Sequence, residues 1–191
     1  MRSFTLFVSV PSLAVLCGMA LTDRFIGSKR LWRAVAVGAV AGLLAAIAYD
    51  VFRLPFVYAD VLGIQQVVPA LKLFKVFPRF GAMILGQPVE QIHYSVPTQL
   101  IGWGYHFSNG VTFGIMYAAL IGDATRRHWS WGVVFAVGLE LGMLFTPYPS
   151  YFQIPLTARF VVVTLAAHTV FGIIMGQTTL RMWNVHPVRK D

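Results

Sequence analysis

The amino-acid sequence predicts an all-α polytopic membrane protein: a bundle of about five transmembrane helices plus an amphipathic interfacial helix on the outer side. The first observation is composition, since 57% of the 191 residues are hydrophobic and 12% are charged. A soluble domain carries about 25% charged residues. The second is that several apolar runs approach or exceed the roughly 18 residues that cross a bilayer. The length suits a single integral membrane domain covering residues 1–191.

Five apolar runs are predicted to cross the membrane, with polar connections between them. Small residues four apart within the later runs, such as Gly138 and Gly142, or Gly172 and Gly176, are expected to let helices approach closely. The approximate limits of the five spans are Phe4–Leu21, Leu31–Val51, Thr98–Ile121, Trp129–Phe145 and Thr157–Leu180.

The first run also has the length of a signal peptide, and Gly18 and Ala20 would form a passable cleavage site. Its basic segment is only Arg2, which is less than a secretory signal normally carries. The run is therefore predicted to be a retained helix. The single cysteine, Cys17, lies inside it, so no internal disulfide is possible.

Lysine and arginine residues are concentrated in three connecting regions, which share one side of the membrane in a five-span arrangement. The positive-inside rule assigns that side to the cytoplasm. The N-terminus is then predicted to lie outside and the C-terminus inside the cell (inner) membrane. The same rule accounts for the net charge of +8 without nucleic acid as a partner. The three regions contain Arg24, Lys29, Arg30 and Arg33; Arg126 and Arg127; and Arg181, Arg189 and Lys190.

The long segment 52–97 is predicted to lie on the outer face. Its middle, ALKLFKVFPRFGAMILG, places Lys72, Lys75 and Arg79 at spacings of three and four residues, so they would share one face of a helix. Apolar residues cover much of the rest, which is typical of a helix lying in the membrane interface. Pro78 is expected to kink or end that helix. A loop packed on the bundle is the alternative interpretation.

Four acidic or histidine residues fall inside the predicted spans: Asp50, His106, Glu140 and His168. Each shares a helical stripe with small residues, the face expected to contact other helices rather than lipid. At a rise of about 1.5 Å per residue, His106 lies roughly 12 Å and Glu140 roughly 9 Å below the outer ends of their helices. His168 is about one turn deeper and Asp50 about one turn shallower. All four are expected in the outer half or at the midplane, with His106 and Glu140 as candidate direct partners.

The sharpest interpretation of this cluster is a metal or haem centre. Two neutral imidazoles with one or two carboxylates suit a divalent first-row metal such as iron, zinc or manganese. Haem held by His106 and His168 is a variant, although it would leave Glu140 without a role. The predicted metal ligands are His106, Glu140, His168 and Asp50, with Asn109 and Tyr49 as hydrogen-bonding groups behind them.

Other functions are compatible with the same residues. A proton or ion relay would use the same four groups, because ionisable residues inside a membrane are functional by default. Alternatively, the groups form only buried hydrogen-bonded pairs, and the protein is a non-catalytic accessory subunit that docks on other membrane subunits in the lipid bilayer. No serine lies in a Gly-x-Ser-Gly turn, so intramembrane serine proteolysis is not indicated. The sequence names no reaction.

Overall fold

A computed structural model describes residues 10–185 of the chain, and these residues are helical with no strand among them. The all-α prediction is therefore confirmed for this part of the chain. Short 3-10 turns cover Leu73–Lys75 and Ala124–Arg126. The α-helices are α1 (Val10–Phe25), α2 (Arg30–Val57), α3 (Val76–Leu85), α4 (Val96–Ile121), α5 (Trp131–Leu144), α6 (Tyr148–Tyr151) and α7 (Ala158–Val185).

Two of the described helices are long and apolar enough to cross a membrane: Arg30–Val57 and Ala158–Asn184. They match the second and fifth predicted spans. Helix α4 has 26 residues but is less apolar, because His106 and Asn109 interrupt its hydrophobic run. Helix α5 is apolar but has only 14 residues. The first predicted span begins at Phe4, outside the described residues, so the structure supports two spans and does not confirm five.

Helix α2 continues beyond its predicted limit at Val51 to Val57, and so contains Pro55. A proline removes one i→i−4 hydrogen bond, but here it lies in the last turn of the helix. The guanidinium of Arg53 donates a hydrogen bond of 2.7 Å to the carbonyl of Leu73, which fastens this end of α2 to the segment that follows. The extension carries Asp50 and Arg53 together within one helix.

Helix α2 is the centre of the bundle. It packs against α4 on one side and α7 on the other, while α5 packs on α7 and α3 packs on α4. Helices α4 and α5 barely meet. The helices therefore follow the spatial order α4, α2, α7, α5, which leaves a gap between the first and the last.

Glycines explain why the packed helices are so close. A Cβ atom added at Gly42 of α2 would lie 2.1 Å from the carbonyl oxygen of Gly110 of α4, and one added at Gly132 of α5 would lie 2.4 Å from that of Gly172 of α7. Only glycine permits this approach of two backbones. The expected packing role is confirmed for Gly172 and Gly176, but it is wrong for Gly138 and Gly142, which have nothing within 4 Å of such a Cβ.

The segment after α2 differs from the single amphipathic helix that the sequence predicts. Lys72 precedes the helical part, Lys75 ends a 3-10 turn, and Arg79 is buried in α3, so the three cations do not share one exposed face. Pro78 lies in the first turn of α3, where its missing N–H is not needed, and it neither kinks nor ends the helix. Helix α3 instead ends at Gly86, whose φ of 71° suits a glycine C-cap.

The two ends of the bundle have different character. At one end, called here the basic end, the start of α2 and the end of α7 meet where Arg33 lies 4.6 Å over the ring of Trp183. A core cluster of Ala34, Ala118, Ala124 and Trp183 brings the turn after α4 to the same end. The other end, called the loop end, carries the segments 58–95 and 145–157.

Candidate functional site

The structure joins the four predicted site residues into two histidine–carboxylate pairs. Nε2 of His106 on α4 lies 2.9 Å from Oδ2 of Asp50 on α2. Nδ1 of His168 on α7 lies 3.4 Å from Oε2 of Glu140 on α5. Each pair thus connects two helices that pack against each other through glycines. The predicted pair of His106 with Glu140 is not formed, because α4 packs on α2 and hardly touches α5.

Asp50 is held by two groups at once. Beside its contact with His106, its other oxygen lies 3.4 Å from a guanidinium nitrogen of Arg53, one turn later on the same helix. A carboxylate can only accept hydrogen bonds, so Nε2 of His106 is the donor in their contact. Asp50 therefore contacts a guanidinium and an imidazole at the same time.

Arg53 was not among the predicted site residues, yet it is more deeply buried than they are, at 3% exposure. Its guanidinium lies 4.5 Å over the ring of Tyr49 and 5.0 Å over that of Phe74, distances typical of cation–π contacts. Its Nε has no hydrogen-bond partner in the described part of the chain. The sequence signal that could have identified it is an arginine three residues after an intramembrane aspartate, on the same helical face.

The hydrogen bonds of His168 define its tautomer. Nδ1 lies 2.9 Å from the backbone carbonyl oxygen of Thr164, one turn earlier in α7. A carbonyl oxygen only accepts, so Nδ1 carries the hydrogen and the neutral ring has its lone pair on Nε2. That lone pair can accept a proton or bind a metal ion. The carboxyl group of Glu140 has no better-placed donor among the described residues than this ring edge at 3.4 Å.

Tyr49 contacts both histidines. Its ring centroid is 5.9 Å from that of His106 and 4.9 Å from that of His168, with an edge-on arrangement in the second case. On its other side the ring of His106 is stacked on Phe77 at 4.2 Å. The prediction that Tyr49 lies beside the polar cluster fits this arrangement, although ring packing rather than a hydrogen bond connects it.

A cavity of about 600 Å³ lies between the helices, and both pairs border it. Its volume is within the range of about 300–1,000 Å³ found for small-molecule sites. Asp50 stands behind His106 rather than at the cavity wall. The polar residues that line the wall are Tyr49, Arg53, Lys72, Lys75, Arg79, His106, Asn109, Glu140, Tyr148, Gln153, Thr157, Thr164 and His168.

The cavity is covered at the loop end by two segments that a buried arginine connects. Arg79 donates a hydrogen bond of 2.6 Å to the carbonyl of Phe152 and forms an ion pair with Glu90. Lys75 also pairs with Glu90, at 2.8 Å between Nζ and Oε1. The hydrogen bond from Lys75 is the main reason that the pKa of Glu90 lies below its ordinary value; partial desolvation opposes the shift and Arg79 adds to it.

The residues of the cavity do not form a multidentate metal cage. In the described residues no group of three or more histidine, cysteine, aspartate or glutamate side chains is placed to hold one ion. Each histidine instead faces a single carboxylate. Comparison with known protein families, with curated protein sequences and with solved structures finds no match for this chain. The functional argument therefore rests on the chemistry of the two pairs and of the cavity they border.

Proposed function

We propose that this protein is a five-span integral protein of the inner membrane, and that it binds a small molecule in its cavity and exchanges a proton with it. The exposed surface of α2 supports the membrane location. Apolar side chains cover its outer face at helical spacing, where Val40, Leu44, Ile47 and Val51 are all exposed. A soluble protein rarely leaves such a continuous apolar stripe in water.

The arrangement of the two ends supports the proposed orientation. Four arginines lie at the basic end: Arg30, Arg33, Arg126 and Arg127. The first residues of α2 and the last residues of α7 lie there too. Positive residues in short connections favour the cytoplasmic side. In this orientation the N-terminus is outside, the C-terminus is cytoplasmic, and the cavity lies in the outer half of the bilayer.

The observation that carries the proton-exchange proposal is the geometry of Glu140 and His168. Glu140 is 5% exposed and borders the cavity. Its nearest polar partner among the described residues is the ring of His168, at 3.4 Å. A proton accepted at Nε2 of His168 makes the ring a cation, which then stabilises the ionised form of Glu140. The pair can thus store a proton and release it at the cavity.

The pair of Asp50 and His106 is suited to positioning the histidine ring rather than to exchanging a proton. Asp50 has the guanidinium of Arg53 beside it as well as the ring of His106. This pair holds the His106 ring in one orientation with Nδ1 left for a ligand. The division into a positioning pair and a protonatable pair gives the two histidines different tasks.

Infrared spectroscopy of the purified protein tests the proposal directly. The carboxylic acid C=O band should contain a component that vanishes in Glu140→Gln, whereas the matched variant Glu90→Gln, at an exposed carboxylate outside the cavity, should retain it. Replacing His168 by Gln should shift the pH at which the band titrates. A spectrum in which Glu140→Gln leaves the acid band and its titration unchanged would overturn the proposal.

A metal ion is the second candidate, and one observation favours it. Histidines that bind a metal ion through one ring nitrogen usually donate the other N–H to a carbonyl or carboxylate, as Nδ1 of His168 does to Thr164. Iron, zinc or manganese would be held by Nε2 of His168, with the remaining positions filled by the bound molecule or water, whereas Glu140 lies at the Nδ1 edge of the ring. The geometry favours haem less, because Nε2 of His106 is already bonded to Asp50. Metal analysis of wild type and His168→Ala, with His128→Ala as the control outside the cavity, decides this candidate.

A further inference from the structure

A cleft between α4 and α5 opens the cavity toward the side of the bundle. The two helices meet toward the basic end, where the ring centroids of Tyr117 and Phe135 are 5.7 Å apart. About one turn nearer the loop end, Phe113 of α4 and Leu139 of α5 both line the cavity. The cavity therefore has a floor at the contact between Tyr117 and Phe135 and a gap between the helices above it.

The other sides of the cavity are covered by protein. Ala46 of α2 and Phe171 of α7 contribute to its back wall. Segments 70–80 and 148–157 cover the loop end, where Arg79 connects them. Between α4 and α5, in contrast, the two helices that line the cavity barely meet. In the proposed topology this gap faces the lipid.

The wall chemistry restricts what can occupy the cavity. Several aromatic rings line it, and aromatic rings favour other rings in offset or edge-on contact. The rings of Phe77, Phe113, Phe160 and Phe171 supply the apolar surface. Away from the loop end, His106 supplies a polar group from the α2–α4 side, and Glu140 and His168 supply two from the α5–α7 side. The cations Lys72, Lys75 and Arg79 line the loop end. The wall thus suits a flat apolar ring that carries one oxygen toward each pair.

We infer that the ligand is a lipid-soluble quinone or quinol that reaches the cavity sideways through the gap between α4 and α5. One ring oxygen faces Nδ1 of His106, and the other faces Nε2 of His168, which accepts the hydroxyl proton of the quinol form. The apolar tail leaves through the gap into the bilayer. This inference rests on the proposed function, because the ring oxygens are the groups that exchange protons with the pair of His168 and Glu140.

Equilibrium binding to the full-length protein in lipid nanodiscs tests the inference. The probes are decylubiquinone, its anaerobically prepared quinol, and decylbenzene, which keeps a ring and tail but lacks the oxygens. Met143 lines the cavity and Val134, on the same helix, is exposed on its outer surface. Met143→Trp should weaken decylubiquinone binding at least tenfold, and the matched control Val134→Trp should bind as wild type does. Leu139→Trp serves as a second cavity variant if Met143→Trp does not fold, as judged by thermal unfolding.

The outcomes separate this inference from the proposed function. Saturable binding of decylubiquinone but not of decylbenzene, lost on filling the cavity, supports it. Equal binding of decylbenzene overturns the ligand class, and binding that both cavity variants leave unchanged overturns the lateral site. If Glu140 titrates in the infrared experiment but neither quinone form binds, only the ligand inference fails. If quinol binds with an affinity and pH dependence that Glu140→Gln leaves unchanged, the ligand class stands and the proton-exchange proposal fails.

Discussion

His106 and Asp50, 56 residues apart in the chain, connect α4 to α2 through a contact of 2.9 Å between Nε2 and Oδ2. The contact lies beside the place where Gly42 and Gly110 bring the two backbones together. The close approach of the helices allows these two short side chains to meet. The geometry of the site therefore depends on the packing of the two backbones.

We expect His106 to be energetically coupled to Asp50, which it contacts, and not to Glu140, which was predicted to lie at a similar depth. In a double-mutant cycle on stability in detergent, His106→Phe and Asp50→Asn should couple by about 1 kcal/mol or more, because they share a direct interaction. The cycle of His106→Phe with Glu140→Gln should be additive within about 0.5 kcal/mol. Strong coupling in the second cycle and additivity in the first would contradict the pairing.

Replacing a contact glycine should separate α2 from α4. Gly42→Ala places a methyl group 2.1 Å from the carbonyl oxygen of Gly110, and such overpacking costs about 1–3 kcal/mol. The matched change Gly138→Ala, where nothing lies within 4 Å, should be neutral or stabilising by up to about 1 kcal/mol, because alanine is the better helix former. Thermal unfolding of both variants measures the difference; equal destabilisation would show that α2 and α4 are not in backbone contact.

The ion pairs of Glu90 should make the cover of the cavity sensitive to acid. Because the pKa of Glu90 in the folded protein lies below its ordinary value of 4.5, its contribution to stability is fully present above that value. It is lost as the pH falls through the lower folded-state pKa. The stability difference between wild type and Glu90→Gln should therefore shrink on acidification, which unfolding measurements at stepped pH would detect. Other carboxylates titrate in both proteins and cancel, so a difference that stays constant down to acid pH would count against the ion pairs.

The proposed topology has its own test. Reporter fusions after Gly86 and after Asp191 should report opposite compartments, because an odd number of spans would separate the loop end from the C-terminus. A second fusion after Thr125, at the basic end, should agree with the one after Asp191. If the fusions after Gly86 and Asp191 share a compartment, the five-span arrangement and the positive-inside assignment both fail.

The sequence was sufficient for the helical class, since periodic apolar runs are local signals. It did not identify Arg53, which lines the cavity, and it included Asp50, which does not. Glu140, His106 and His168 were all placed near one region from depth alone, and they do line one cavity. Depth, however, gives no information about which helices are neighbours. The pairing depends on the order α4, α2, α7, α5, which glycine contacts between distant segments determine.

Local spacing also misled in two places. Gly138 and Gly142 have the same four-residue spacing as Gly172 and Gly176, but they lie on the side of α5 that no other described helix contacts. Lys72, Lys75 and Arg79 have helical spacing, yet the helix begins only at Val76 and Arg79 turns inward to the carbonyl of Phe152. Residue spacing cannot reveal that an arginine is buried and donates its hydrogen bond to the backbone carbonyl of a distant residue.

The proximity of Asp50 and Arg53 within α2 has a consequence for biogenesis. About 40 residues separate the end of α2 from the start of α4, so at about 5–20 residues per second the ribosome takes a few seconds to supply His106. In the proposed membrane topology, α2 enters the bilayer during that interval with an arginine already 3.4 Å from its carboxylate. A lone aspartate would raise the cost of leaving the translocon by up to about 3 kcal/mol, depending on its depth. Arg53 thus provides a partner for Asp50 until His106 has been synthesised.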